Sequence, residues 1–235
     1  MVVNMQRYFA IGRNNEYFNL QDDDIRHIKL VMRMKENDKI IVVENNIPFL
    51  CNIEDNYKIK IVEPLPLTKK DIPFVSIIVP ILKEQKMDYI LQKSTELGVE
   101  QIIVYYSERG IIKETDNNDK KIERWNRIMK EASEQCHRNN IPIIKIKKLN
   151  EIEKLDYNLI CSTNNPKNNL KNILKNTSIC DRINIVIGPE GGLTNKEENE
   201  LILNGFIPIT LGNRILRVET VPLFLMSAVN YEKME

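Results

Sequence analysis

The spacing of apolar positions changes near residue 70. Before that point residues 7–11, 39–43, 47–53 and 58–62 read as short strands, and the middle two flank Asn45 and Asn46, a pair that tolerates the left-handed backbone of a tight hairpin turn. Ile25, Ile28 and Met32 recur at helical spacing behind Asp22, Asp23 and Asp24, which predicts one helix over residues 22–34. The run Glu63-Pro64-Leu65-Pro66-Leu67-Thr68-Lys69-Lys70 then places two prolines where a ladder would have to continue. A domain boundary belongs there, dividing the chain into 1–70 and 71–235.

From Ile72 onward strand and helix alternate. Residues 75–79 are continuously apolar, as expected of a strand covered on both faces. Residues 86–97 form a helix stopped by Gly98, and 101–105 the next strand. A helix over 120–138 aligns Trp125, Ile128, Met129, Ala132 and Cys136 on one stripe. Strands at 143–146, 159–161, 183–187 and 208–211 follow, with helices at 168–174 and 196–204. A last helix starts at Val221, with Thr220 as its cap and Pro222 in its first turn. The prediction is an α/β domain with a mostly parallel sheet behind a small β-rich domain.

Composition narrows the function. With 42% hydrophobic residues among 235, the chain can bury a sizeable core, so wholesale disorder is excluded. Its 34 basic and 33 acidic residues leave a formal charge of +1, which excludes a highly basic architectural nucleic-acid binder but permits a local basic patch. Residues 1–7 do not read as a secretory signal, and the longest uncharged apolar runs, 72–82 and 221–231, fall short of the ~20 residues that span a bilayer. Cys51, Cys136, Cys161 and Cys180 include no close pair, and only His27 and His137 accompany them. That argues against a zinc site or a disulfide scaffold and suits a reducing cytoplasm.

Two loops leave the carboxyl ends of predicted strands, where open α/β sheets bind ligands. The first, Gly188-Pro189-Glu190-Gly191-Gly192, lets backbone approach a ligand closely. It lacks the Gly-Lys-Ser/Thr ending of a P-loop and the dinucleotide glycine spacing. Glu190 would repel a phosphate, so a neutral or cationic ligand suits the loop better. The bland alternative is a plain strand-to-helix turn with a solvated Glu190. The second loop, residues 211–220, sets Ile215 and Leu216 between Arg214 and Arg217. These apolar residues suit a slot for a ring whose edge the backbone reads. They would otherwise be core anchors, with Arg214 or Arg217 paired to Glu219.

Five ordered blocks carry a resemblance over nearly the whole chain. They are G-P-E-G-G at 188–192, L-G-x-R-I-L-R-x-E-T at 211–220, Lys93-Ser94-Thr95-Glu96-Leu97-Gly98-Val99 with Ser107-Glu108-Arg109, Glu131-Ala132-Ser133-Glu134-Gln135-Cys136-His137-Arg138, and Gln6-Arg7-Tyr8-Phe9 with the stretch from His27 through Arg33 to Asp38. Together they resemble the bacterial RsmE family, small-subunit ribosomal RNA methyltransferases of the SPOUT superfamily. Val221 and Leu193 depart from the family's usual Ala and Phe while keeping apolar character.

The resemblance implies an α/β SPOUT-type domain with a deep trefoil knot, one of the rare exceptions to unthreaded chains, and an N-terminal PUA-like domain that helps hold RNA. It implies methylation of N3 of a uridine in 16S rRNA, free or within the small ribosomal subunit, by a homodimer formed through the knot domain, with no metal and no membrane partner. S-adenosyl-L-methionine would lie against Cys161, Ser162, Thr163, Ile187, Gly188, Pro189, Glu190, Gly191, Gly192, Leu211, Gly212, Arg214, Ile215 and Leu216. The competing readings are a SPOUT enzyme acting on another RNA or on a ribose 2′-hydroxyl, and a non-catalytic RNA-binding module.

Uridine N3 must lose its proton before or during attack, so the site needs a base or a cation that stabilises the anion. Glu190 is the base candidate by charge. Arg217, Arg138 and Arg109 are candidates for stabilising the anion or holding the phosphodiester backbone. In the small domain Arg7, Arg26, Arg33 and Lys35 are candidates for phosphate contact. Each has a plain counterpart as a structural salt bridge or a solvated charge.

Overall fold

A computed structural model describes residues 5–67, 72–113, 117–164 and 166–233. The chain divides into two units, one made of residues 1–69 and 130–141, the other of 70–129 and 142–235.

In the first unit the alternating segments form six strands, β1 (Arg7–Phe9), β2 (Gly12–Asn14), β3 (Tyr17–Asn19), β4 (Lys39–Glu44), β5 (Ile47–Glu54) and β6 (Lys58–Pro64). They line up in the order β1-β4-β5-β6-β3-β2, with β1 parallel to β4 and the other pairs antiparallel. Asn45 and Asn46 take positive φ of 50° and 66° and close the β4–β5 hairpin. Tyr8, Phe18, Ile28, Ile40, Val42, Cys51, Ile53 and Ile59 form the core.

Three details differ from the sequence reading. The β2–β3 hairpin, turned at Asn15 with φ 51°, was not expected, because each strand has three residues and too few apolar positions to show a period. The helix over 22–34 is instead a short α1 (Asp22–Arg26) running into a π-helical turn, His27–Val31. The wider turn buries Ile28 completely and sets His27 Nδ1 3.0 Å from the Tyr8 hydroxyl, while Leu30 and Val31 stay exposed. Pro64 does not interrupt the ladder but ends it opposite Phe49, a terminal position where its missing N–H is tolerated.

Residues 130–141 complete this unit. Lys130 is mostly buried between Asp24 and Glu134, 2.9 Å from Glu134 Oε1. Burial pushes the Glu134 carboxyl up to about 7 despite the ammonium beside it.

The second unit follows the predicted order except that residues 168–169, expected to open a helix, pair as a short strand: β7 (Phe74–Pro80), α2 (Glu84–Glu96), β8 (Gln101–Tyr105), α3 (Asn118–Gln135, its last residues grouped with the first unit), β9 (Ile143–Ile146), β10 (Tyr157–Cys161), β11 (Asn168–Asn169), α4 (Leu170–Asn176), β12 (Arg182–Ile187), α5 (Asn195–Leu203), β13 (Ile207–Thr210) and α6 (Thr220–Lys233). Every pair in the sheet is parallel, in the order β11-β13-β10-β12-β7-β8-β9. The central strands are apolar without alternation because both faces are covered, and Val75, Ile77, Ile78, Ile160, Ile185 and Val186 are fully buried. Gly98, at φ +92°, ends α2 where a side chain would be strained.

One consequence of this order positions the site. Strands β13, β10 and β12 are neighbours, with Cys161 in register with Ile187 on one side and Ile209 on the other. The loops that follow these three strands therefore leave the sheet side by side, although they lie ~25 residues apart in sequence.

Candidate functional site

Each of the three loops is held by side chains from elsewhere in the second unit. The fully buried Tyr105 hydroxyl donates to the Ile187 carbonyl at 2.9 Å, fixing the end of β12 where the glycine loop begins. A Cβ on Gly188 would sit 3.0 Å from the Leu193 backbone nitrogen, so a side chain there would require the Leu193 backbone to give way by a few tenths of an ångström. The Gly192 N–H closes the turn on the Pro189 carbonyl at 2.8 Å. Arg109 donates to the Gly191 carbonyl at 2.9 Å and to that of Leu193 at 3.3 Å. Beyond the loop Thr194 and Glu197 cap α5 reciprocally, and Glu197 also accepts from the Glu108 amide at 3.0 Å.

The second loop has a different character. Gly212 has φ +115°, and a Cβ built there or on Gly192 would meet nothing within 4 Å, so both glycines present bare backbone to open space. Ile215 is 87% exposed and not a core anchor; the buried anchors of this segment are Val218 and Val221. Neither arginine holds Glu219 in an ion pair among the described residues. Lys86, in the first turn of α2, lies 3.2 Å from Glu219 and also pairs with Glu190, tying the two loops through one ammonium. The hydrogen bond and charge of Lys86 hold the Glu190 carboxyl below the usual carboxylate range. The third loop, after β10, is fixed by Glu198 of α5, which accepts from Ser162 Oγ and from Asn164 Nδ2, each at 2.6 Å.

Together the loops enclose a cleft of about 1120 Å³. Cys161, Ser162, Thr163, Ile187 to Gly192, Leu211, Gly212, Arg214, Ile215 and Leu216 all line it, so the residues expected against a donor share one cavity. Burial pushes the Cys161 thiol up to about 12, which keeps it protonated and removes it as a nucleophile. The glycine loop carries Glu190 where a phosphate cradle would avoid a carboxylate, and Glu198 also lines the cleft, beside Lys86, Arg109, Arg214 and Arg217.

The remaining candidates are dispersed. Arg217 and Arg109 line the cleft. Arg138 belongs to the first unit, where it donates to Asn140 Oδ1 at 3.3 Å. Arg7 is turned inward: its guanidinium donates to the Arg138 carbonyl at 3.1 Å and to the Asn139 side chain, and burial lowers its pKa. Arg26, Arg33 and Lys35 are exposed on the first unit. Asn164, at the end of the 161–164 loop expected against the donor, lines the cleft too, whereas Lys86 and Glu198 also line it and were not singled out in the sequence. Lys86 follows the carboxyl end of β7, and the positional rule that found the glycine loop would have reached it. Glu198 has no such signal, because only the folded chain brings it to Ser162.

No cluster of metal-ligating side chains occurs among the described residues, and no helix among them is long and apolar enough to cross a membrane.

Residues 69–230 match the family model of an RNA methyltransferase domain, and 20–63 that of an RNA methyltransferase PUA domain. The ribosomal RNA small subunit methyltransferase E of Bacillus subtilis is 32% identical over 252 aligned positions, covering 97% of each chain. The protein of that name from Mesomycoplasma hyopneumoniae is 33% identical, covering 95% of this chain and 98% of its own. Among solved structures, the Neisseria gonorrhoeae ribosomal RNA small subunit methyltransferase E bound to S-adenosyl methionine superposes with a TM-score of 0.85 at 29% identity, covering 97% of this chain and 98% of that one.

Proposed function

Because the chain belongs to the ribosomal RNA small-subunit methyltransferase E family, it is an S-adenosylmethionine-dependent methyltransferase of 16S rRNA, and we infer that its acceptor is N3 of a uridine. The observation that carries the reading is the convergence of three loops from neighbouring parallel strands on one cleft with bare backbone, an apolar slot and carboxylates in its walls. Bare backbone and an apolar slot suit an adenosine read at its edge, and the carboxylates suit a ligand that also carries positive charge.

The bound donor supplies the methyl group. The chain's own contribution is positioning and charge. Backbone around Gly188–Gly192 and Gly212 and the apolar faces of Ile215 and Leu216 would hold the adenine ring, and methyl transfer would require the acceptor nitrogen at a near-attack distance of ~3–3.5 Å. Arg217, exposed in the cleft wall, is the cation proposed to stabilise the uridine anion as the N3 proton leaves. Glu190 carries its charge in an ion pair with Lys86. A carboxylate already engaged by an ammonium is poorly placed to take a proton, so its proposed role is electrostatic, facing a cation. Arg138, grouped with the first unit, is proposed to act on RNA together with Arg26, Arg33 and Lys35.

A trefoil knot through the 188–192 and 211–220 segments is part of this proposal, supported by their shared cleft. So is a homodimer through the second unit, supported by Phe224 (43% exposed) and Tyr231 (82%) one heptad apart on α6 and by the exposed Ile215. A ribosomal substrate implies a cytoplasmic enzyme. The test is mass spectrometry of nucleosides from small-subunit RNA methylated by the purified protein. One N3-methyluridine is expected; a ribose-methylated nucleoside would replace the base-directed reading with the ribose-directed one.

A further inference from the structure

Glu198 is a carboxylate that the proposed reaction does not use. It is 7% exposed and lies in the wall shared by the main cleft and an adjoining cavity of about 510 Å³. Both of its oxygens accept hydrogen bonds, from Ser162 Oγ and Asn164 Nδ2, and both donors are neutral. Among the described residues no lysine, arginine or histidine forms an ion pair with it. Its neighbour Glu197, equally buried, is occupied in the α5 cap, whereas Glu198 faces the cavity.

A carboxylate withdrawn from water costs several kcal/mol unless a cation compensates it, and two neutral hydrogen bonds leave lone pairs unfilled. The N-terminal end of α5 offsets part of this cost, and Lys167 lines the smaller cavity without forming an ion pair with Glu198, so a cation entering the cleft would complete the compensation. Building on the methyltransferase reading above, we propose that Glu198 binds the α-ammonium of the donor's amino-acid tail, with Ser162 and Asn164 orienting its carboxylate. The donor has two cationic groups. The sulfonium has no hydrogen to donate, whereas the ammonium has three, matching an acceptor-only carboxylate. Glu198 is then a binding residue for the tail and not for the adenosine.

Three ligands that share the adenosine separate the possibilities: S-adenosylmethionine carries sulfonium and ammonium, S-adenosylhomocysteine only the ammonium, and 5′-methylthioadenosine neither. Calorimetry with the wild-type protein and Glu198→Gln is expected to show S-adenosylmethionine and S-adenosylhomocysteine weakened alike, by roughly tenfold or more, the worth of a charge-assisted hydrogen bond. Binding of 5′-methylthioadenosine stays within about twofold, which also reports that the variant's cleft is intact. Equal weakening of all three ligands would reduce Glu198 to a loop anchor, and weakening of S-adenosylmethionine alone would assign it to the sulfonium; either overturns the proposal. A wild-type protein that binds none of the three would instead defeat the methyltransferase reading itself.

Discussion

The hydroxyl of Tyr105 joins the core to the cleft, and removing it tests whether the end of β12 is built for the loop that follows. Tyr105 is fully buried, its phenol pushed well above the ordinary range by burial, and its acceptor, the Ile187 carbonyl, belongs to a residue 2% exposed. Tyr105→Phe keeps the ring and leaves that carbonyl without its side-chain donor. An unsatisfied buried acceptor costs ~1–3 kcal/mol. For a chain of this size that corresponds to a fall in Tm of roughly 2–10 °C. Ile187 directly precedes Gly188, so the freed strand end also loosens the cleft wall, and the Kd for S-adenosylmethionine is expected to rise about three- to tenfold. Thermal unfolding followed by circular dichroism and calorimetric titration measure the two effects. Tyr106→Phe is the matched control: its hydroxyl donates to Asn118 at 2.7 Å in a half-buried setting outside the cleft, and its loss should cost under ~1 kcal/mol with donor affinity intact. If Tyr105→Phe behaves like that control in both assays, the reasoning about β12 is wrong.

Three further outcomes are expected. Glu190→Gln should keep its single-turnover rate at saturating donor within about fivefold, because a carboxylate already engaged by Lys86 is poorly placed to take a proton; a loss in the ~10²–10⁴ range typical of a removed general base would restore that role. Gly188→Ala, whose Cβ would crowd the Leu193 backbone at 3.0 Å, should weaken donor binding about tenfold or more, and unchanged binding would show that the turn yields freely. Glu134 is raised in the folded first unit to about 7, so its contribution to stability is complete below the unfolded carboxyl pKa of ~4.5 and is lost as pH rises through about 7. Hydrogen exchange of the β4 and β5 amides should therefore show a less stable first unit at pH 8 than at pH 6, and Glu134→Gln should flatten that difference; an equal slope in the variant would assign the pH dependence elsewhere.

What the sequence disclosed, and what it hid, follows from how each feature is encoded. The glycine loop and the 211–220 loop were legible because ligand loops sit at strand carboxyl ends, a rule about order along the chain, and glycine marks backbone that must come close. That the two loops and the one after Cys161 form a single cleft depends on β13, β10 and β12 being neighbours, a fact of topology that the spacing of apolar residues does not carry. The β2–β3 hairpin and the π-helical turn were illegible because three residues cannot display a period and one extra residue per turn shifts it.

Charge was the least legible, because a charged residue is chosen by its distance from another charge. The sequence offered Arg214 and Arg217 as partners for Glu219, two to five positions away, yet the cation that holds it, Lys86, lies more than 130 positions earlier. The same ammonium pairs with Glu190, so one residue of α2 holds a carboxylate from each loop. The cleft lining sets Glu190 and Glu198 against Lys86, Arg109, Arg214 and Arg217, so its charge is mixed, and recognition of a cation rests on individual carboxylates and not on a net acidic field.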